Sequence, residues 1–319
     1  MKPILMNAIY CFQNARLAGV FVLMLLLTAC ASAPQLRDGT EQRLPRQSEL
    51  SDVPFYAQTE YQCGPAALAM VLNHQGVDTD VETLIPQVFI PDREGSVQPE
   101  MLATVRRHER LAFPIRGSFD DLLGHLAAGD PVVVIQNLSL AAFPMWHYAV
   151  AIGYDLDSDT LTLRSGEIER HTMSFSRFDA TWGRTDRWGF VVAKPGTLPE
   201  GITARNAINA ISAYEEAHGP QATLSSWHAM VERYPGNAVG QFGLGNAYYA
   251  NQQSDKALSA FQAATQHDPQ MGAAWLNIGL LQLQRDKPEA AREALSKAAS
   301  IEGSWQARAQ ETLENQLGN

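Results

Sequence analysis

The chain has 319 residues, 45% of them hydrophobic and 18% charged, a balance that excludes a disordered chain at a length that suggests two domains. Lys and Arg number 24 against 34 Asp and Glu, and no segment packs basic residues among aromatics, which argues against a nucleic-acid partner. The 23 glycines and 17 prolines follow no Gly-X-Y period, which excludes collagen.

Lys2 and Arg16 are the only charges before residue 30, and an apolar run of 13 residues, Leu17 to Ala29, follows them. A bilayer span needs ~20 residues of helix. A positive start, a short apolar core and small residues at its end predict a cleavable secretory signal over 1–29. Its end, Leu27-Thr28-Ala29-Cys30, resembles a bacterial lipobox, in which the cysteine becomes the first mature residue and carries the lipid. That resemblance implies an acylated Cys30 and contact with a membrane through the lipid. Ala31 in place of Asp after the cysteine points to the periplasmic face of the outer membrane. The mature chain would hold 22 basic and 34 acidic residues. Residues 30–49 are polar and predict a lipidated, flexible tether. Of the three cysteines, Cys11 leaves with the signal and Cys30 takes the lipid, so Cys63 remains as a lone free thiol.

Residues 50–196 mix helix and strand signals. Pro65 to Leu72 and Phe119 to Ala128 read as helices, the second ended by Gly129-Asp130. Pro131 to Gln136, His147 to Tyr154, Thr160 to Arg164 and Trp188 to Ala193 read as strands. This order predicts an α+β domain with an antiparallel sheet. A turn-rich boundary, Pro195 to Gly201, suggests a linker over 197–203.

Beyond it every segment reads as helix, with an internal repeat. Leu244-Gly245, Tyr248, Ala257, Phe261, Ala264 and Pro269 return 34 residues later as Ile278-Gly279, Gln282, Ala291, Leu295, Ala298 and Gly303. The pattern and period resemble the tetratricopeptide family. Subtracting the same period gives a degenerate unit with Ala210, Tyr214, Thr223, Trp227, Met230 and Pro235. The resemblance implies an all-α solenoid over 204–301, its first repeat degenerate, a capping helix over 302–319, and a protein partner on the repeats. Tyr248 and Trp275 are expected between the helices.

The chemistry gathers around Cys63, followed by Gly64, Pro65 and an alanine-rich stretch. Proline favours the first helical turn, so Cys63 is expected at a helix N-terminus, where unpaired N–H groups and the helix dipole stabilise a thiolate. A depressed thiol pKa follows as an expectation. A nucleophilic thiol needs an imidazole. Of the eight histidines, His147 has the best setting, at the start of an apolar strand after a loop.

Gln58…Cys63-Gly64-Pro65-Ala66, then Leu122-Leu123 through Gly129 to Pro131-Val132-Val133-Val134, then His147-Tyr148-Ala149-Val150 with Gly153-Tyr154-Asp155, resemble the peptidase C39-like family of papain-like cysteine peptidases. The resemblance implies a papain-like fold, Cys63 as nucleophile, His147 as general base and then acid, and Gln58 as oxyanion donor. The family glutamine usually lies six residues before the cysteine; here the gap is five. Ser165-Gly166 stands where the family has Asp-Pro, so Ser165 would orient the imidazole without a negative charge. These residues imply a peptide or protein substrate. A non-catalytic peptide-binding scaffold and a thiol acyltransferase or transglutaminase-like enzyme are the alternatives. No Gly-rich phosphate loop or HExxH motif is present, and neither a cofactor nor a metal site is expected. Asp155, Asp157 and Asp159 lack the Gly and distal Glu of a calcium loop and read as a solvated turn.

Overall fold

The computed structural model describes residues 34–57, 62–90 and 95–317. The signal segment, Cys30 and Gln58 lie outside them. Strand β1 is Gln47–Glu49, β2 Phe89–Ile90, β3 Gly95–Ser96, β4 Leu111–Arg116, β5 Val132–Asn137, β6 Trp146–Asp155, β7 Thr160–Ser165, β8 Ile168–Ser174 and β9 Trp188–Ala193. Helix α1 is Thr40–Arg43, α2 Cys63–His74, α3 Val81–Val88, α4 Gln98–Arg107, α5 Phe119–Ala128 and α6 Phe175–Trp182. The main sheet runs β4-β9-β5-β6-β7-β8 with β1 on the free edge of β6, every pair antiparallel; β2 and β3 form a separate hairpin.

Apolar residues cover both sides of this sheet. Val133, Ile135, Tyr148, Val150, Ile152, Phe190 and Val192 pack with α2, α3 and α4. Their strand neighbours Val132, Val134, Ala149, Ala151, Val191 and Phe113 pack with α5 and α6 on the opposite face. A bulge between Ala151 and Gly153 then turns Tyr154 toward that second face. β4 carries Pro114, and it can, because it is an edge strand paired only with β9.

The N-terminal segment is built into the fold, which shortens the expected tether of 30–49. The backbone N–H of Arg37 donates to Asp120 Oδ1 at 2.8 Å, and buried Thr40 donates to the same oxygen at 2.6 Å. Tyr154 donates its hydroxyl to Pro45 O, and β1 pairs with residues 153–155. That pairing needs Gly153, since a Cβ there would lie 2.4 Å from Ser48 O.

The second half is helical: α7 Ala204–His218, α8 Leu224–Arg233, α9 Ala238–Ala250, α10 Ser254–His267, α11 Gly272–Gln284, α12 Pro288–Ser300 and α13 Gln306–Leu317. The starts of α7, α9 and α11 are spaced by 34 residues, as are those of α10 and α12. The period has a packing cause. A Cβ on Gly245 would lie 2.5 Å from the Phe261 ring; one period later, a Cβ on Gly279 would lie 2.6 Å from Leu295. The first unit has Ile211 at this position and begins its second helix with a 3-10 turn, Pro220–Thr223. Its Trp227 packs against Gly243 of the next unit instead. Tyr248 is buried as expected, its hydroxyl on His228 Nε2 at 2.5 Å. Trp275 is only half-buried, because its indole N–H reaches out to Pro269 O.

The two halves share one core. Leu198 and Ile202, in the expected linker 197–203, are buried, and Ile211 and Tyr214 of α7 join the cluster that holds Phe113, Val134 and Val191. Asn206 donates to Pro114 O, and the His218 ring meets Arg106 O at 2.7 Å. The segment is therefore a packed joint, since a flexible linker would leave these side chains in water. Tyr214→Ala is expected to cost about 3–5 kcal/mol. Denaturant unfolding of the full chain should show one cooperative transition shifted for both halves. Two separate transitions, with the sheet's unaffected, would contradict the shared core.

Candidate functional site

Cys63 is the first residue of α2, after the N-cap Gln62. Gln62 makes no side-chain cap bond, so the first-turn N–H groups stay available near the sulfur. Gly64 is there for a steric reason: a Cβ would lie 2.2 Å from Ser96 Oγ of β3, which rests on the helix start. From Gly64 to Leu72 every side of α2 is buried, between the sheet and α3 and α4. The helix is thereby fixed, and its first residue is brought to the edge of β6.

His147 is the second residue of β6, opposite Gln136 of β5. Its Nε2 lies 2.9 Å from Ser165 Oγ, the last residue of β7. The register explains the contact. Arg164 pairs with Val150, so Ser165 follows on the same sheet face as Ala149 and His147. The tautomer with its proton on Nε2 donates to the Ser165 hydroxyl and leaves Nδ1 as the basic atom.

Cys63 approaches from the other layer. Its sulfur lies against the backbone N–H of Tyr148, the residue after His147, and against the N–H groups of Gly64 and Cys63 itself. Tyr148 pairs with Ile135 of β5 on one side, and the pairing of β7 stops at Val150 on the other, so the β7 edge of β6 is open at Tyr148. The structure thus brings Cys63, His147 and Ser165 to one end of β6. Gln58 lies outside the described residues, five positions before Cys63.

The electrostatics differ from the expectation of a depressed thiol. Burial pushes the Cys63 thiol up, and the three N–H groups that favour a thiolate offset this only in part. Burial lowers the His147 imidazole, and the nearby charge of His171 lowers it further. Both shifts favour the neutral form of each group. Among the described residues no carboxylate contributes to the shift of either group.

Three contributors were hidden in the sequence. Tyr148 supplies a backbone N–H, which no side-chain pattern announces. His171 acts from β8, a strand whose polar surface gives no apolar signal. Arg164, buried beside Ser165, donates through Nε and Nη2 to Val53 O and fixes the segment leading toward Gln58. Among the described residues there is no cluster of His, Cys, Asp and Glu able to hold a metal ion.

Residues 50–188 match the family model described as the Peptidase_C39 like family. Residues 242–308 match a tetratricopeptide repeat model. The chain carries a C39-like domain followed by tetratricopeptide repeats. A comparison with curated proteins gives no match. Among solved structures, a C39-like protein from Bacillus anthracis is 21% identical over 47% of this chain and 98% of its own, with a TM-score of 0.39. A double glycine motif protease from an AMS/PCAT transporter, solved with its leader peptide, is 19% identical over 46% of this chain and 93% of its own, TM-score 0.35. A tetratricopeptide domain from Aspergillus fumigatus is 20% identical over 36% of this chain and 78% of its own, TM-score 0.33.

The raised thiol gives a direct expectation. Iodoacetamide alkylation of Cys63 should be slow at pH 6–7 and should still be climbing above pH ~8.5, where a free cysteine is half ionised. A rate plateau already reached at pH 6 would instead reveal a thiolate–imidazolium pair.

Proposed function

We propose that the chain is an envelope cysteine peptidase that uses Cys63 and His147, with its repeats recruiting a protein partner and a lipid on Cys30 holding it at a membrane. The observation that carries the reading is the meeting of three groups at one end of β6. The Cys63 sulfur lies on the N–H that follows His147, and His147 is held by Ser165.

In this reading His147 Nδ1 takes the thiol proton as Cys63 Sγ attacks the scissile carbonyl carbon. The oxyanion forms beside the Cys63 N–H at the start of α2, and the family resemblance adds the Gln58 amide. His147 then returns the proton to the leaving amine, leaving an acyl-enzyme. Water attacks the thioester and gives a proton to His147, and as the acid leaves, His147 returns that proton to the departing Cys63 thiolate.

Ser165 holds the imidazole without adding negative charge, so it stabilises the imidazolium less than an aspartate would. The neutral resting pair also favours a second reading, a peptide-binding scaffold that does no chemistry. The partner site in either case is the groove of about 680 Å³ lined by Asn246, Tyr249, Asn277, Gln284 and Arg308.

The test is labelling of envelope fractions with a thiol-reactive peptide probe, read beside proteomics of cleaved substrates. Cys63→Ala should abolish labelling and cleavage. Ser165→Ala should cost well under the ~10⁴ seen when a triad carboxylate is neutralised, and Ser165→Asp should raise the rate near neutral pH. Cleavage unchanged in Cys63→Ala and His147→Ala would leave the scaffold reading in its place.

A further inference from the structure

The connection between β5 and β6 is apolar and faces water. Of the eight large hydrophobic side chains exposed among the described residues, five lie between Leu138 and Trp146. Leu140 is 67% exposed, Phe143 77% and Met145 60%. No charged residue occurs from 138 to 146. Isolated exposed apolar residues are ordinary, but a contiguous group is not.

The loop is held in this form by its own hydrogen bonds. Buried Asn137 accepts from the N–H groups of Ser139 and Met145 at 3.1 and 3.0 Å. Leu138 N–H donates to Met145 O, and Phe143 N–H to Leu140 O. Arg184 Nη1 donates to Asn137 O and Ser139 O at 3.0 and 2.9 Å. A fixed backbone thus turns these side chains outward. At such exposures they form a convex tip, whereas a peptide anchor needs a concave pocket.

The topology places this tip beside the point where the N-terminal chain joins the fold. β4 and β5 run in the same direction, because both pair antiparallel with β9 between them. α5 starts at Phe119, directly after β4, so its N-terminus and the β5–β6 loop leave the same end of the sheet. There Asp120 and Asp121 fasten Arg37, the second through its guanidinium at 2.5 Å. Two strand spacings separate β4 from β5, roughly 10 Å. From Arg37 back to Cys30, seven residues span at most about 25 Å. A lipid on Cys30 and the tip of the loop can therefore enter the same leaflet.

We propose that residues 138–146 are a membrane-inserting tip that seats the domain on the bilayer in one orientation, a proposal that rests on the lipid reading of Cys30. An aromatic pair, Phe143 and Trp146, with a guanidinium at the loop's base suits the interface between acyl chains and headgroups. His147 follows Trp146 directly, so the candidate site would open at the membrane surface, and its substrate would be a polypeptide lying on or emerging from the bilayer.

The experiment uses the full chain purified from membranes and placed on vesicles of phosphatidylethanolamine and phosphatidylglycerol. With brominated acyl chains, a quenched component of the tryptophan fluorescence should appear, and it should be missing in Trp146→Phe. In parallel, the Cys30→Ser chain should partition weakly onto the same vesicles, and Phe143→Asp should reduce that partition by about tenfold or more. The second arm needs no acyl chain. Loss of the acyl mass on Cys30 would therefore sink the lipid reading, and the seating with it, while the loop's own affinity is still read. An acylated, vesicle-bound chain with no quenching of Trp146 and no effect of Phe143→Asp would overturn the proposal. So would shielding of Trp146 from acrylamide by unfolded casein and not by vesicles, which would make the tip a polypeptide contact.

Discussion

Residues 148–152 of β6 point alternately into two separate cores, and the strand's pleat sets both the candidate site and the join between the halves of the chain. Tyr148, Val150 and Ile152 face the layer that holds α2; Ala149 and Ala151 face the layer that holds α5, α6 and the first repeat helix. A thiol from the first layer and an imidazole pointing toward the second cannot meet across a continuous sheet. They can meet at the strand's end, where β7 has stopped and the edge is open. The position of Ser165 as the last residue of β7 is thus also what lets the sulfur reach the Tyr148 N–H.

The same two-sided burial accounts for the electrostatics. Closing both faces of the sheet removes water from the thiol and from the imidazole, and burial leads the causes for each. Three N–H groups surround the sulfur, so a developing thiolate has donors waiting. Among the described residues the imidazolium has the Ser165 hydroxyl, and His171 opposes it. A substrate that supplied negative charge near His147, or a partner that drew His171 away, would tilt the balance toward the ion pair.

Much of the sheet was legible because its strands are buried on both faces and read as apolar runs: Val132 to Ile135, Tyr148 to Ile152, Trp188 to Val192. Helix α5 was legible to the residue, since Ser118 caps its start and Gly129, at φ +94, ends it. The repeats were legible because Gly245 and Gly279 admit large side chains at a fixed spacing. The elements that escaped carry mixed signals. β8 exposes most of its side chains, β4 contains a proline, and α3 holds Pro86. The site was legible as types of residue at plausible places. The thiol's environment was not, because a helix N-terminus predicts stabilisation of charge while its depth in the fold is a tertiary property. The docking of 34–49 and 197–203 escaped for a related reason. A few apolar and polar anchors, such as Thr40, Leu198 and Ile202, suffice to seat a segment whose composition reads as linker.

The short strand β1 has a bearing on how pieces of this protein would behave. The C39-like match begins at residue 50, one position after β1 ends. A fragment cut there would strip the partner from residues 153–155 of β6 and leave Gly153 without the strand it is shaped to admit. An uncovered strand edge is a template for pairing with another chain. Such a fragment would tend to self-associate edge to edge, and its clumping would reflect the missing three-residue strand rather than any native assembly.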